Sequence, residues 1–117
     1  MTMILDGTIT FSDTTVQNSS SNTYALGVGQ TWQNVSGSRT SGTTYYNTTG
    51  RPITVSAGST TSASTGSSTS ASVNGVVISS QNVSQVNCGV GVTFVVPSMG
   101  SYSVAATYPW SHFAELR

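Results

Sequence analysis

From Ile53 onward the apolar residues of this chain recur at every second position. Ile53, Val55 and Ala57 alternate with Thr54 and Ser56; Val90, Val92, Phe94 and Val96 sit one residue apart; Tyr102, Val104 and Ala106 repeat the pattern. A period of two places one row of side chains on a buried sheet face and the other row on the opposite face. Helix formers are too sparse to compete: three leucines, seven alanines, one glutamate and no lysine, against fourteen valines, four isoleucines and ten aromatics. With 22 serines and 19 threonines the composition leans toward disorder. The clustering of apolar residues between glycine, asparagine and proline overrides it, and the chain reads as all-β.

Punctuation divides the strands. A strand is expected near 30–36, stopped by Ser36-Gly37-Ser38. Residues 43–47 and 53–57, joined through Thr48-Thr49-Gly50, read as a hairpin. Residues 58–72 carry only small side chains and resemble a linker. Yet Asn74-Gly75 between Val73 and Val76 is the strongest short hairpin signal, and such a turn needs a strand before it. Residues 66–73 are therefore predicted as a polar, solvent-facing strand paired with 76–81, and 58–65 are left unassigned. Pro97 ends the strand over 90–96, and Tyr108-Pro109 separates 102–106 from a last strand over 110–116. Seven or eight short strands give a small antiparallel β-sandwich or barrel over residues 25–117, with Trp32, Trp110 and Phe94 expected in its core. Residues 1–24 offer only Ile4, Leu5, Ile9, Phe11 and Val16 as large apolar side chains beyond the methionines. That is too little to fold alone, so this segment must pack on the sandwich or on copies of itself.

Several function classes are disfavoured. Charged residues are 5% of the 117, the formal net charge is zero, and Arg39, Arg51 and Arg117 are the only strong cations, which removes the electrostatic basis of nucleic-acid binding. No apolar run approaches the roughly 20 residues of a membrane span. The acids are Asp6, Asp13 and Glu115, poorly placed for paired-carboxylate catalysis. One histidine and one cysteine fall short of a zinc site. Neither a G-x-S-x-G elbow nor a P-loop lysine occurs. The chain is read as non-enzymatic, with no metal and no cofactor. Cys88 cannot form an internal disulfide and reads as a small buried hydrophobe.

Two stretches carry a resemblance. Residues 7–18 (GTITFSDTTVQN) resemble an element repeated in bacteriophage tail-fibre proteins. Residues 28–35 (VGQTWQNV), Arg39, 42–55 (GTTYYNTTGRPITV), 73–78 (VNGVVI), 94–97 (FVVP), 102–104 (YSV) and 110–117 (WSHFAELR) together resemble the C-terminal β-sandwich of phage tail-fibre and receptor-binding proteins. The resemblance implies a jelly-roll-like sandwich preceded by a short intertwined N-terminal β segment, in a homotrimer. It implies a virion protein made in the bacterial cytoplasm and placed on the particle exterior, a short tail fibre or fibre tip that contacts host polysaccharide. Ile4, Leu5, Ile9, Phe11 and Val16 would then serve trimerisation and attachment to another virion protein. Tyr45, Tyr46, Arg51, Tyr108 and His112 are the candidates for receptor contact, since aromatic rings pack on a pyranose face while polar groups bond its edges. The alternative is a purely structural capsid decoration, head fibre or tail-assembly adaptor.

Overall fold

The computed structural model describes residues 25–61 and 63–117, together with the backbone of three short N-terminal strands. These strands are β1 (Ile4–Leu5), β2 (Thr8–Thr10) and β3 (Val16–Gln17), which pair antiparallel in the order β1-β2-β3. Phe11 lies outside the described residues, and for Ile4, Leu5, Ile9 and Val16 only the strand backbone is described.

The remaining strands are β4 (Trp32–Asn34), β5 (Tyr45–Tyr46), β6 (Ile53–Ser59), β7 (Ser67–Val73), β8 (Val76–Val83), β9 (Gly91–Val96), β10 (Ser101–Ala106) and β11 (Trp110–Leu116). They form a sandwich of two four-stranded antiparallel sheets, ordered β4-β11-β6-β9 and β5-β10-β7-β8. The pairings nest: β7 with β8, β6 with β9, β5 with β10 and β4 with β11. The chain is thus one long hairpin rolled over so that its arms alternate between sheets. Its tip is the Asn74-Gly75 turn, where φ values of 51° and 80° supply the two left-handed residues of a type I′ turn.

Alternation delivers the core as expected. Ile53, Val55, Ala57, Val92, Phe94, Val96 and Phe113 of one sheet face Ala71, Val73, Tyr102 and Val104 of the other, all buried. Trp110 is partly buried against this core, its ring edge-on to Phe113 at 5.0 Å between centroids.

Four expectations are corrected. The 43–57 stretch is not a hairpin, because β5 joins β10 in one sheet while β6 joins β11 and β9 in the other. The connection is pinned by buried Asn47, whose Nδ2 donates to the carbonyls of Arg51, Val96 and Pro97. Strand β7 is not solvent-facing: it lies between β10 and β8, and Ser67, Thr69, Ala71 and Val73 point inward. Its buried hydroxyls are satisfied by main-chain carbonyls, Ser67 Oγ by Cys88 (2.5 Å) and Thr69 Oγ1 by Val90 (3.1 Å). Cys88 is only partly buried. Trp32, expected in the core, is 55% exposed: its register partner Leu116 lies between buried Glu115 and the chain end, so Trp32 takes the outward parity.

One charged cluster lies inside the sandwich. Glu115 is fully buried on the inner face of β11 and accepts hydrogen bonds from Arg39 Nε (2.8 Å), Arg39 Nη2 (3.0 Å) and the Tyr102 hydroxyl (2.6 Å), with Arg117 Nε 3.2 Å from Oε1. Burial, then the hydrogen bond to Glu115 and its charge, pushes the Tyr102 pKa up to about 12. Burial alone would lower the Arg39 pKa, but the hydrogen bond and charge of Glu115 prevail and hold it above its ordinary value. Because Tyr102 belongs to β10 and Arg39 to the β4–β5 connection, this cluster ties the two sheets and the connection together.

Candidate functional site

The outer face of the β4-β11-β6-β9 sheet carries two depressions. Trp110 and Phe113 both turn toward the core although three positions separate them, and simple alternation forbids this. The conflict is resolved by a register shift between Trp110 and His112 in the pairing with β6. A bulge re-aims the side chain next to it, and here the extra residue Ser111 lets Trp110 turn inward while His112, alternating with Phe113, faces outward beside the β6 backbone at Gly58. A side chain at Gly58 is sterically impossible without rearrangement, since a Cβ there would lie 2.6 Å from His112 Cε1.

His112 is held by hydroxyls on both sides. Its Nε2 is 3.2 Å from Ser56 Oγ and its Nδ1 is 3.2 Å from Ser111 Oγ; Thr93 Oγ1 in turn donates to Ser56 Oγ at 3.3 Å. Two depressions meet at this chain. One, about 280 Å³, has Trp32 as its wall with Ala114, Ser56 and Thr93 around it. The other, an open groove of about 530 Å³, runs past His112 over Gly58 and Gly91 between Ser59, Thr60 and Ser111. The sheet register places Ala114, Ser56 and Thr93 in one row and His112, Gly58 and Gly91 in a parallel row, so the two depressions follow each other along the strand direction.

Chemically this is a neutral recess. Its lining carries an indole, an imidazole, hydroxyls and glycine backbone, with no Asp, Glu, Lys or Arg. Each hydroxyl can both donate and accept. A Ser-His pair is present, but its third partner is Ser111 rather than a carboxylate; the one acid among the described residues, Glu115, points the other way into the ion cluster. Among the described residues no cluster of His, Cys, Asp and Glu is suited to a metal ion, and no helix is long and apolar enough to cross a membrane.

The five residues singled out for receptor contact are not brought together. Tyr45 is partly buried against Tyr102, with the Arg39 guanidinium 4.6 Å over its ring and its hydroxyl accepting from Thr40 N. Tyr46, next in β5, faces outward and is 65% exposed. Arg51 donates from Nη2 to the carbonyls of Ala25 and Val28, fastening the 25–28 turn. Tyr108 bonds Thr65 through its hydroxyl. Only His112 lies in the recess, and its companions Trp32, Ser56 and Thr93 were not among the candidates. The odd spacing of Trp110 and Phe113 was the available signal for the bulge; nothing comparable marked Ser56 among 22 serines.

Comparison with protein families, curated proteins and solved structures finds no match.

Proposed function

We propose that this protein is a non-enzymatic recognition module that binds neutral saccharide in the recess bounded by Trp32 and His112, and that it does so on a virion exterior as a short tail-fibre or fibre-tip subunit. The observation that carries the saccharide reading is the exposed Trp32 ring standing beside a line of hydroxyl and imidazole groups with no Asp, Glu, Lys or Arg among them. An exposed indole supplies apolar area for a pyranose face, and Ser56, Thr93, Ser111 and His112 supply donors and acceptors for its hydroxyls. The connected depressions suit a chain of sugar units over a single ring.

The virion placement is supported by the resemblance of residues 7–18 and of the stretches 28–35, 42–55, 73–78, 94–97, 102–104 and 110–117 to tail-fibre sequences, and by the nested strand order, which is the jelly-roll arrangement used by viral capsid and lectin domains. In this reading residues 1–24 attach the sandwich to another virion protein and join it with two further copies. Linked copies need only weak individual sites, because multivalency raises avidity by about 10²–10⁴ without new contacts.

The test is a glycan array of neutral bacterial-surface and plant-type oligosaccharides probed with the full chain, repeated with Trp32→Ala and His112→Ala. Binding to at least one neutral glycan, lost in Trp32→Ala and weakened in His112→Ala, supports the reading. Absence of binding to every neutral glycan, or binding untouched by Trp32→Ala, overturns it.

A further inference from the structure

The two depressions of the recess are joined by a continuous file of hydrogen-bonding side chains. Thr93 and Ser56 line the smaller one, and His112 and Ser111 line the larger. Thr93 Oγ1 donates to Ser56 Oγ at 3.3 Å, Ser56 Oγ is 3.2 Å from His112 Nε2, and His112 Nδ1 is 3.2 Å from Ser111 Oγ. A neutral imidazole carries one ring proton, so one nitrogen donates while the other accepts, and the bond made at one decides the other. Two arrangements preserve all three contacts. In the first, Ser56 accepts from Thr93 and gives its own proton to Nε2, Nδ1–H donates to Ser111, and the Ser111 proton is left over. In the second, Nε2–H donates to Ser56, which then accepts twice, Ser111 donates to Nδ1, and the Ser56 proton is left over.

Two features choose the first. All its bonds run in one direction, and bonds in such a chain polarise and strengthen one another. It also leaves the spare proton on exposed Ser111, at the open groove, whereas the second leaves it on half-buried Ser56, whose hydroxyl bonds only Thr93 and His112 among the described residues. We infer that His112 is a positioning residue in its Nδ1–H form, which carries the polarity set at Thr93 through to Ser111, so that the larger groove meets its ligand with a hydrogen-bond donor. The chemistry of that ligand rests on the saccharide reading: the group taken up at Ser111 is an acceptor oxygen of a neutral sugar. Thr93, in one depression, thereby governs what is offered in the other, and the two depressions work as one site.

The chain has a single histidine, so long-range nitrogen–proton correlation spectra of the isotope-labelled full chain, recorded in mildly alkaline solution, read its tautomer directly. A histidine side chain in water prefers the Nε2–H form, so Nδ1–H is a result the fold must impose. The expected result is Nδ1–H in the native chain and a change to Nε2–H in Thr93→Val and in Ser111→Ala, both exposed positions outside the core. Nε2–H in the native chain, or a tautomer indifferent to Thr93→Val, overturns the inference. The second readout is the glycan array repeated with Ser111→Ala. Binding of a neutral glycan should weaken about three- to tenfold, the worth of one hydrogen bond, and binding left unchanged overturns the donor role of Ser111. An array silent to every neutral glycan overturns the saccharide reading alone, because the tautomer is read on the free chain.

Discussion

The two sheets have equal numbers of strands and share one core, yet their outer faces are built on different plans. On the β4-β11-β6-β9 sheet a bulge, a glycine and an outward tryptophan create relief and chemical variety within two adjoining depressions. On the β5-β10-β7-β8 sheet, small side chains of β7 (Ser68, Ser70, Ser72) and β10 (Ser101, Ser103, Ala105) lie between the exposed Tyr46 of β5 and the exposed Val77 of β8. The first surface has recesses and chemical variety, and the second has neither. The two outer faces thus differ while the stability of both sheets rests on one shared interior.

The comparison breaks most severely if that shared interior is cut. Glu115→Ala leaves the Arg39 and Arg117 guanidinium groups without their carboxylate inside the sandwich, and loss of one partner from a buried ion cluster costs about 3–5 kcal/mol; both sheets should lose stability together in chemical denaturation followed by circular dichroism. Two separate transitions would show that the sheets are not energetically joined through this cluster.

A smaller effect is expected from Tyr102→Phe, which removes one hydrogen bond to a carboxylate, about 1.5–3 kcal/mol, and changes the pH profile. The folded-state pKa of Tyr102 is raised to about 12 from an ordinary 10. The folded state therefore holds the phenol proton more tightly than the unfolded chain, and its contribution is complete below pH 10 and lost as pH rises from 10 toward 12. Denaturation midpoints measured across that window should fall more steeply for the native chain than for Tyr102→Phe; equal slopes would count against the Tyr102–Glu115 bond.

The smallest stability change belongs to Trp32→Ala. A substitution on an exposed face away from the core shifts stability by about 0.5 kcal/mol or less, so thermal melting should barely move while saccharide binding disappears. Its sharpening partner is Trp110→Ala. That ring packs on Phe113 and its Nε1 donates to the Arg39 carbonyl, and its loss should cost about 3–5 kcal/mol. Comparable costs for the two tryptophans would erase the distinction between interior and outer face.

Strand positions were legible because period-two alternation and Asn74-Gly75 act locally. What the sequence did not reveal was which sheet each strand enters, since that is decided by contacts distant along the chain. Thr48-Thr49-Gly50 has the composition of a hairpin turn, and only the bonds from Asn47 to Val96 and Pro97 make it a crossing between sheets. Strand β7 looked exposed because it is polar, and its place between β10 and β8 in the strand order reverses that inference. The candidate site was the least legible part. Hydroxyl side chains are too common here for any one to stand out, and the outward parity of Trp32 depends on its pairing with Leu116.

The nested hairpin has a consequence for biosynthesis. Strand β11 is an interior member of its sheet, flanked by β4 and β6, and the seam is completed where Thr31 and Arg117 exchange main-chain bonds. A nascent polypeptide emerging from the ribosome can zip the central turn early, but it cannot latch the sandwich until β11 has left the exit tunnel. Contacts so distant along the chain form slowly, which leaves an interval in which newly made chains expose the interior side of β6 and have most need of a chaperone.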